Sequence, residues 1–164
     1  MKNTIINLKN ITKRFKVGDG EFTALNNINL NFQKGEFAGF VGPSGSGKTT
    51  LLNIIGSLDS PSEGQALVMG KDVAKLSHRE SADLRNYHIG FIFQVYNLLP
   101  VYTVYENVEF ALLLQNHTKA ERHKMVMEAL DWVGLTDLAD KKPDRISGGE
   151  GQRVAIARAL SMEP

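Results

Sequence analysis

The run Phe37-Ala38-Gly39-Phe40-Val41-Gly42-Pro43-Ser44-Gly45-Ser46-Gly47-Lys48-Thr49-Thr50 constrains this chain more than any other stretch. It reads as a short apolar strand, a glycine-rich loop and the opening of a helix through Leu51, Leu52, Ile54 and Ile55. Gly42, Gly47, Lys48 and Thr49 occupy the fixed positions of G-x-x-x-x-G-K-[ST], with Pro43, Ser44, Gly45 and Ser46 between them. A polyphosphate needs several backbone N–H groups turned inward, and glycines let a chain curl that tightly. Gly47 leads into a helix whose positive end then faces the anion. Lys48 supplies a point charge for the outer phosphates, and the Thr49 hydroxyl a hard oxygen for Mg²⁺. With glycine averaging ~7% of residues, a chance match in so short a chain has odds on the order of one percent or less.

Composition excludes several classes. At 164 residues the chain is one domain, or one domain with a small insert. A net charge of +1 gives no global attraction to nucleic acid or anionic lipid. No cysteine is present, so no disulfide framework or thiolate metal site can form. The first seven residues turn polar too soon for a signal peptide. The longest apolar cluster, Phe110 to Leu114, falls far short of the ~20 residues that span a bilayer.

Residues 4–15 read as a half-buried strand carrying Ile6, Leu8 and Ile11, followed by a turn at Gly18-Asp19-Gly20. Ile28, Leu30 and Phe32 alternate with Asn27, Asn29 and Asn31, as in a strand with one wet face. Residues 37–41 then read as a buried strand, and Gln65–Met69 as a further strand of the antiparallel side sheet. Ser77-x-x-Glu80 is a capping box for a helix through Tyr87. His88 to Phe93 reads as a second buried strand with Gln94 at its carboxyl end, the edge where open α/β sheets bind ligands. Thr103-x-x-Glu106 and Thr118-x-x-Glu121 start two helices of an all-helical stretch, 96–145. Val126, Ala129, Leu130 and Val133 form the apolar stripe of the second, and Gly134 stops it. A last helix opens at Ser147-Gly148-Gly149-Glu150 and runs to Pro164. Its glycine-rich opening is either a second anion site with bare N–H groups or an ordinary capped helix end.

In that order, these residues resemble the ATP-binding subunit of ABC transporters. Gly42–Thr49 resembles the family's P-loop, Gln94 its Q-loop glutamine, and Ile146-Ser147-Gly148-Gly149-Glu150 its signature motif. Phe15 lies where the family places an aromatic that stacks on adenine. Gly90–Gln94, Asn97–Pro100 and Thr103–Val108 are similar to the lipoprotein-release and macrolide-export type. The resemblance implies a P-loop NTPase α/β fold with an antiparallel β side sheet and a helical insert. It divides the chain into a nucleotide-binding core at 1–95, a helical subdomain at 96–145, and the signature with its helix at 146–164. ATP and Mg²⁺ are the implied cofactors, with Thr49 and Gln94 reaching the metal. The implied partners are a second copy in a head-to-tail ATP sandwich and transmembrane permease subunits, not nucleic acid. The implied location is the cytoplasmic face of the plasma membrane.

The sequence departs from the family at Ile146 for leucine, Gly151 for glutamine and Phe15 for tyrosine. Residue 164 falls where the family's Walker B strand would begin. Nothing in 1–164 matches its aspartate, catalytic glutamate or switch histidine, so no catalytic residue is assigned. The four histidines all precede the signature and show no metal-ligand spacing. The expectations are Mg-ATP binding with little or no hydrolysis by this stretch, and poor stability with self-association. Gln94 also fits a plain strand-end amide, and Phe15 a core aromatic. Arg153 and Arg158 read as helix-surface ion-pair partners, while Tyr102, Tyr105 and Leu112–Leu114 suit either insert core or a partner surface. Competing functions are a chromosome-maintenance ATPase, which needs heptads absent between Val95 and Ile146, a ribosome-acting ATPase with two such domains, and a non-hydrolytic ATP-binding module.

Overall fold

A computed structural model describes residues 3–164, so Met1 and Lys2 of the expected core and N-terminal stretch lie outside the described residues. The chain forms two compact units, Met1–Ala82 and Asp83–Pro164.

The first unit is built on a four-stranded antiparallel sheet in the order β2-β1-β3-β4. Its strands are β1 (Thr4–Val17), β2 (Gly20–Gln33), β3 (Glu63–Val68) and β4 (Lys71–Asp72). The β1–β2 hairpin turns at Gly18-Asp19, and its ladder runs through Phe15↔Phe22, Lys13↔Leu25, Ile11↔Ile28, Leu8↔Leu30 and Ile6↔Phe32. The alternating residues of β2 therefore meet the apolar residues of β1, and the asparagines face water as period two requires. Helix α1 (Lys48–Ile55) packs on β2 and β3, burying Leu51 and Ile54 beside Leu8, Ile11, Leu25, Ala66 and Val68. A residue 69 with positive φ ends β3 one position earlier than the alternation suggests.

The second unit is helical. After α2 (His78–His88), which begins in the first unit, come α3 (Val104–Glu109), α4 (Lys119–Trp132) and α5 (Gly148–Leu160), with 3₁₀ turns at 110–112, 136–138 and 143–145. Its core joins Val104, Val108 and Leu112 to Val126, Ala129, Leu130, Leu135, Val154 and Ala157. Buried Asn107 ties the preceding loop to α3: its Oδ1 accepts from Leu99 N at 2.7 Å, and its Nδ2 donates to the carbonyls of Leu99, Tyr102 and Thr103. The Tyr102 ring meets Phe110, and Tyr105 packs on the core. Leu112 is buried, whereas Leu113 and Leu114 are exposed, so the apolar run divides between core and surface. Among the described residues no helix is long and apolar enough to cross a membrane.

Three expectations are corrected. Residues 37–41 form no strand, and Phe37 and Val41 are fully exposed; only Phe40 finds an aromatic neighbour, Phe32, edge-on at 6.0 Å. Residues 88–93 form no strand either: His88 closes α2, and 89–93 runs unpaired, with the Phe91 and Phe93 rings stacked at 5.6 Å. An apolar run becomes a strand only with a ladder partner, and among the described residues neither run has one. The last helix ends at Leu160 rather than Pro164, where the Ser161 hydroxyl donates to Arg158 O.

Candidate functional site

The loop before α1 is shaped by two glycines. Gly45 and Gly47 have φ of 81° and 87°, and Gly47 serves as the N-cap of α1 with no side-chain cap. Gly47 lies against β2: a Cβ there would meet Ala24 O at 2.7 Å and Leu25 Cδ2 at 2.8 Å. The Lys48 ammonium folds back over the loop and donates to Gly42 O at 2.8 Å, Pro43 O at 2.8 Å and Ser46 Oγ at 3.2 Å. Pro43, Ser44, Gly45, Ser46 and Thr49 are exposed, and Thr50 is half-buried.

The helix ends differ in charge. α2, α3, α4 and α5 each hold a glutamate in the first turn, hydrogen-bonded to the Ser77, Thr103, Thr118 or Ser147 backbone N–H. The first turn of α1 holds no acid. Its third position is Thr50, so its positive end stays uncompensated beside Lys48 and a glycine loop. This is a cradle for an anion.

Phe15 stands on β1, 39% exposed, and is therefore not a core aromatic. Lys13 Nζ lies 5.1 Å from its ring centroid. The hairpin that carries Phe15 is the one that Gly47 abuts, so within the first unit the aromatic and the glycine loop are connected through β2. Sequence reasoning passed over Lys13; its position two residues before the exposed aromatic was the available signal.

Gln94 and Ser147–Glu150 belong to the second unit. Gln94 sits on an exposed bend, not at a strand end, so the strand-edge argument for its role falls away. At Ser147 the two readings of the helix end separate. Ser147 N donates to Glu150 Oε2 at 2.6 Å, the Ser147 hydroxyl donates to it at 2.8 Å, and Glu150 N donates back to Ser147 Oγ. The opening is thus a capped end, with exposed Gly148 and Gly149 beside it. Those hydrogen bonds from Ser147 hold the Glu150 carboxyl below its ordinary value. The Tyr96 ring packs on buried Gly151, where a Cβ would lie 3.2 Å from ring carbon Cε2. Arg158 corrects a further expectation. It is no surface ion-pair partner, because its guanidinium donates to Tyr96 O at 2.7 Å and Asn97 O at 3.1 Å. Among the described residues no group of three or more histidines and carboxylates could hold a metal.

Comparison with known proteins decides the family. Residues 25–164 match the family described as ABC transporter. This chain belongs to the ABC transporter ATP-binding family. It is 46% identical over 160 residues to the macrolide export ATP-binding/permease protein MacB of Burkholderia lata, covering 98% of this chain and 23% of that one. It is 44% identical over 165 residues to the lipoprotein-releasing system ATP-binding protein LolD of Francisella tularensis, covering 100% of this chain and 71% of that one. The dimeric post-hydrolysis structure of the ATP-binding cassette MJ0796 with ADP and Pi superposes at a TM-score of 0.90 and 45% identity, over 97% of this chain and 70% of that one. The chain therefore has the ABC ATPase fold and spans under a quarter of the MacB relative's length.

Proposed function

We propose that this ABC ATP-binding chain binds Mg-ATP in the 42–50 loop and pairs head-to-tail with a second copy, driving export or lipoprotein release through membrane permease partners. The observation that carries the reading is the open end of α1: a glycine cap, no first-turn acid, and Lys48 folded over the loop carbonyls. A triphosphate offers Lys48 a better partner than those two carbonyls, and the ammonium swings to it. Thr49 is exposed in the first turn, and its hydroxyl suits Mg²⁺, which takes oxygen donors and draws the rest of its shell from phosphate and water. When bound, the metal neutralises charge on the phosphates. Phe15 faces the adenine ring, and the Ser147–Gly149 end of the second copy closes over the γ-phosphate.

The functions that MacB and LolD are named for and the dimeric state of the MJ0796 cassette support this reading by likeness. The division at 95 and 145, and a location on the cytoplasmic face of the membrane, belong to the same proposal. So does slow turnover by polypeptide 1–164, since none of its residues matches the family's catalytic carboxylates. Calorimetry with Mg-ATP tests the binding step: Lys48→Ala weakens affinity at least ~10-fold, the cost of ~1.4 kcal/mol of charge-assisted hydrogen bonding. Equal affinity in wild type and Lys48→Ala refutes it. Turnover by 1–164 at ~1 s⁻¹ or above refutes the slow-hydrolysis element.

A further inference from the structure

Phe15 raises a question that the phosphate cradle does not answer: what holds a large aromatic ring in place on a wet strand. Its neighbour Lys13 is unusual for a lysine, with its side chain only 13% exposed. The Lys13 ammonium is anchored twice on the loop after α1, donating to Asp59 Oδ1 at 2.6 Å and to Ser60 O at 2.7 Å. Asp59 Oδ1 also accepts from Ser60 N at 2.7 Å, which fixes the carboxylate that receives the ammonium. From that anchorage Lys13 Nζ stands over the Phe15 ring. A cation against one face of a ring fixes the ring's orientation and draws π density towards itself.

The strand register connects this pair to the phosphate loop. Lys13 pairs with Leu25 and Phe15 with Phe22, while Gly47 rests on Ala24 and Leu25. Ala24 stands two residue steps along β2 from Phe22, about 7 Å of strand. One ligand can thus keep its phosphates at the loop and lay its base along the hairpin.

We propose that Lys13 is a positioning residue for the nucleotide base: strapped to Asp59 and Ser60, it holds Phe15 by a cation–π contact so that the ring's open surface stacks on a purine. The inference rests on the nucleotide reading above but assigns a residue that the phosphate cradle does not use. Lys13 acts on the base alone, and its effect disappears when the ligand has no base.

The test compares Mg-ATP with Mg-tripolyphosphate by calorimetry on the full chain. Lys13→Met raises the dissociation constant for ATP about three- to tenfold while leaving tripolyphosphate within about twofold. Lys13→Arg, which keeps the charge and donors, stays near wild type for both. Asp59→Asn removes the charge from one of the two anchors, leaving Ser60 O, without touching the lysine, and shows a smaller loss of the same selectivity, so the idea remains testable if Lys13→Met fails to fold. Unchanged ATP affinity in Lys13→Met and Asp59→Asn overturns the proposal. Equal losses on both ligands also overturn it, because they show Lys13 to be a structural strut. Wild type that binds neither ligand overturns the nucleotide reading and this inference together, whereas tripolyphosphate binding with no preference for ATP overturns only the base platform.

Discussion

Gly47→Ala and Gly45→Ala form a pair of substitutions that separates backbone strain from steric collision. Both glycines have positive φ, 87° and 81°, where an alanine costs ~1–2 kcal/mol. Alanine also lowers the entropy of the unfolded chain, which returns ~0.4–1 kcal/mol. At Gly45 nothing lies within 4 Å of the added Cβ, so the net cost is about 1 kcal/mol. At Gly47 the Cβ meets a backbone carbonyl of β2 at 2.7 Å and the buried Leu25 side chain at 2.8 Å, and neither can retreat without breaking the ladder or the core. Overpacking of that kind adds ~1–3 kcal/mol. The strain cancels between the two variants, leaving a gap of about 2 kcal/mol that belongs to the contact with β2 alone. Urea unfolding followed by far-UV circular dichroism reads it: with m of ~1–3 kcal/mol/M, the midpoint of Gly47→Ala lies about 1 M below that of Gly45→Ala. Coincident midpoints would refute the argument that the phosphate loop is braced on the hairpin.

Asn107→Leu removes four hydrogen bonds of a fully buried side chain and takes the side-chain partner from the Leu99 amide and the Tyr102 carbonyl, while Leu99 O and Thr103 O keep their backbone donors Tyr102 N and Asn107 N. It destabilises the second unit by about 3 kcal/mol or more, read as a lower urea midpoint. Gly151→Val places two methyls beyond a Cβ already 3.2 Å from the Tyr96 ring, at a cost of ~1–3 kcal/mol. Hydrogen exchange at 96–99 then accelerates, and unchanged protection would count against that contact. The Glu80, Glu121 and Glu150 carboxyls are held below the ordinary value of 4.5 by hydrogen bonds from Ser77, Thr118 and Ser147. Depressed carboxyls stabilise the fold above that value and lose the contribution as pH falls through and below it. The urea midpoint therefore holds between pH 6 and 8 and declines below about pH 4.5, more shallowly in Glu150→Gln.

Local chemistry was legible in the sequence; pairing was not. All four Ser/Thr-x-x-Glu boxes close as written, because a capping box needs only residues three apart. The alternation of β2 shows which of its residues face the apolar residues of β1, but not the four register shifts of their ladder. Residues 37–41 and 88–93 were misread because an apolar run does not name the strand that must pair with it, and without that partner Phe37, Val41 and Ile92 stand exposed. Arg158 was misread for a related reason: its partners are backbone carbonyls 61 and 62 residues away, and no spacing rule reaches that far. At the candidate site the reading of the glycine loop and of Phe15 rests on local residue types, whereas the strap through Lys13, Asp59 and Ser60 joins segments 46 and 47 residues apart, beyond any local pattern.

The contrast among helix ends carries one further step. A capping residue contributes ~1 kcal/mol, and this sequence installs one with a glutamate at α2, α3, α4 and α5. It omits both only at α1, the helix that docks on β2 and β3. A chain that follows a local rule at four ends and breaks it at the fifth gives up stability there for another purpose. At α5 the rule is followed although the segment resembles the family's signature motif, and Glu150 already satisfies the Ser147 N–H and hydroxyl. The two ends are therefore unequal as anion sites. On the proposed function both ends trade hydrogen bonds for phosphate: Lys48 leaves the Gly42 and Pro43 carbonyls at the loop, and Ser147 turns its hydroxyl away from Glu150 at the α5 end. They differ in charge, because a phosphate meets no first-turn acid at α1 and a carboxylate at α5.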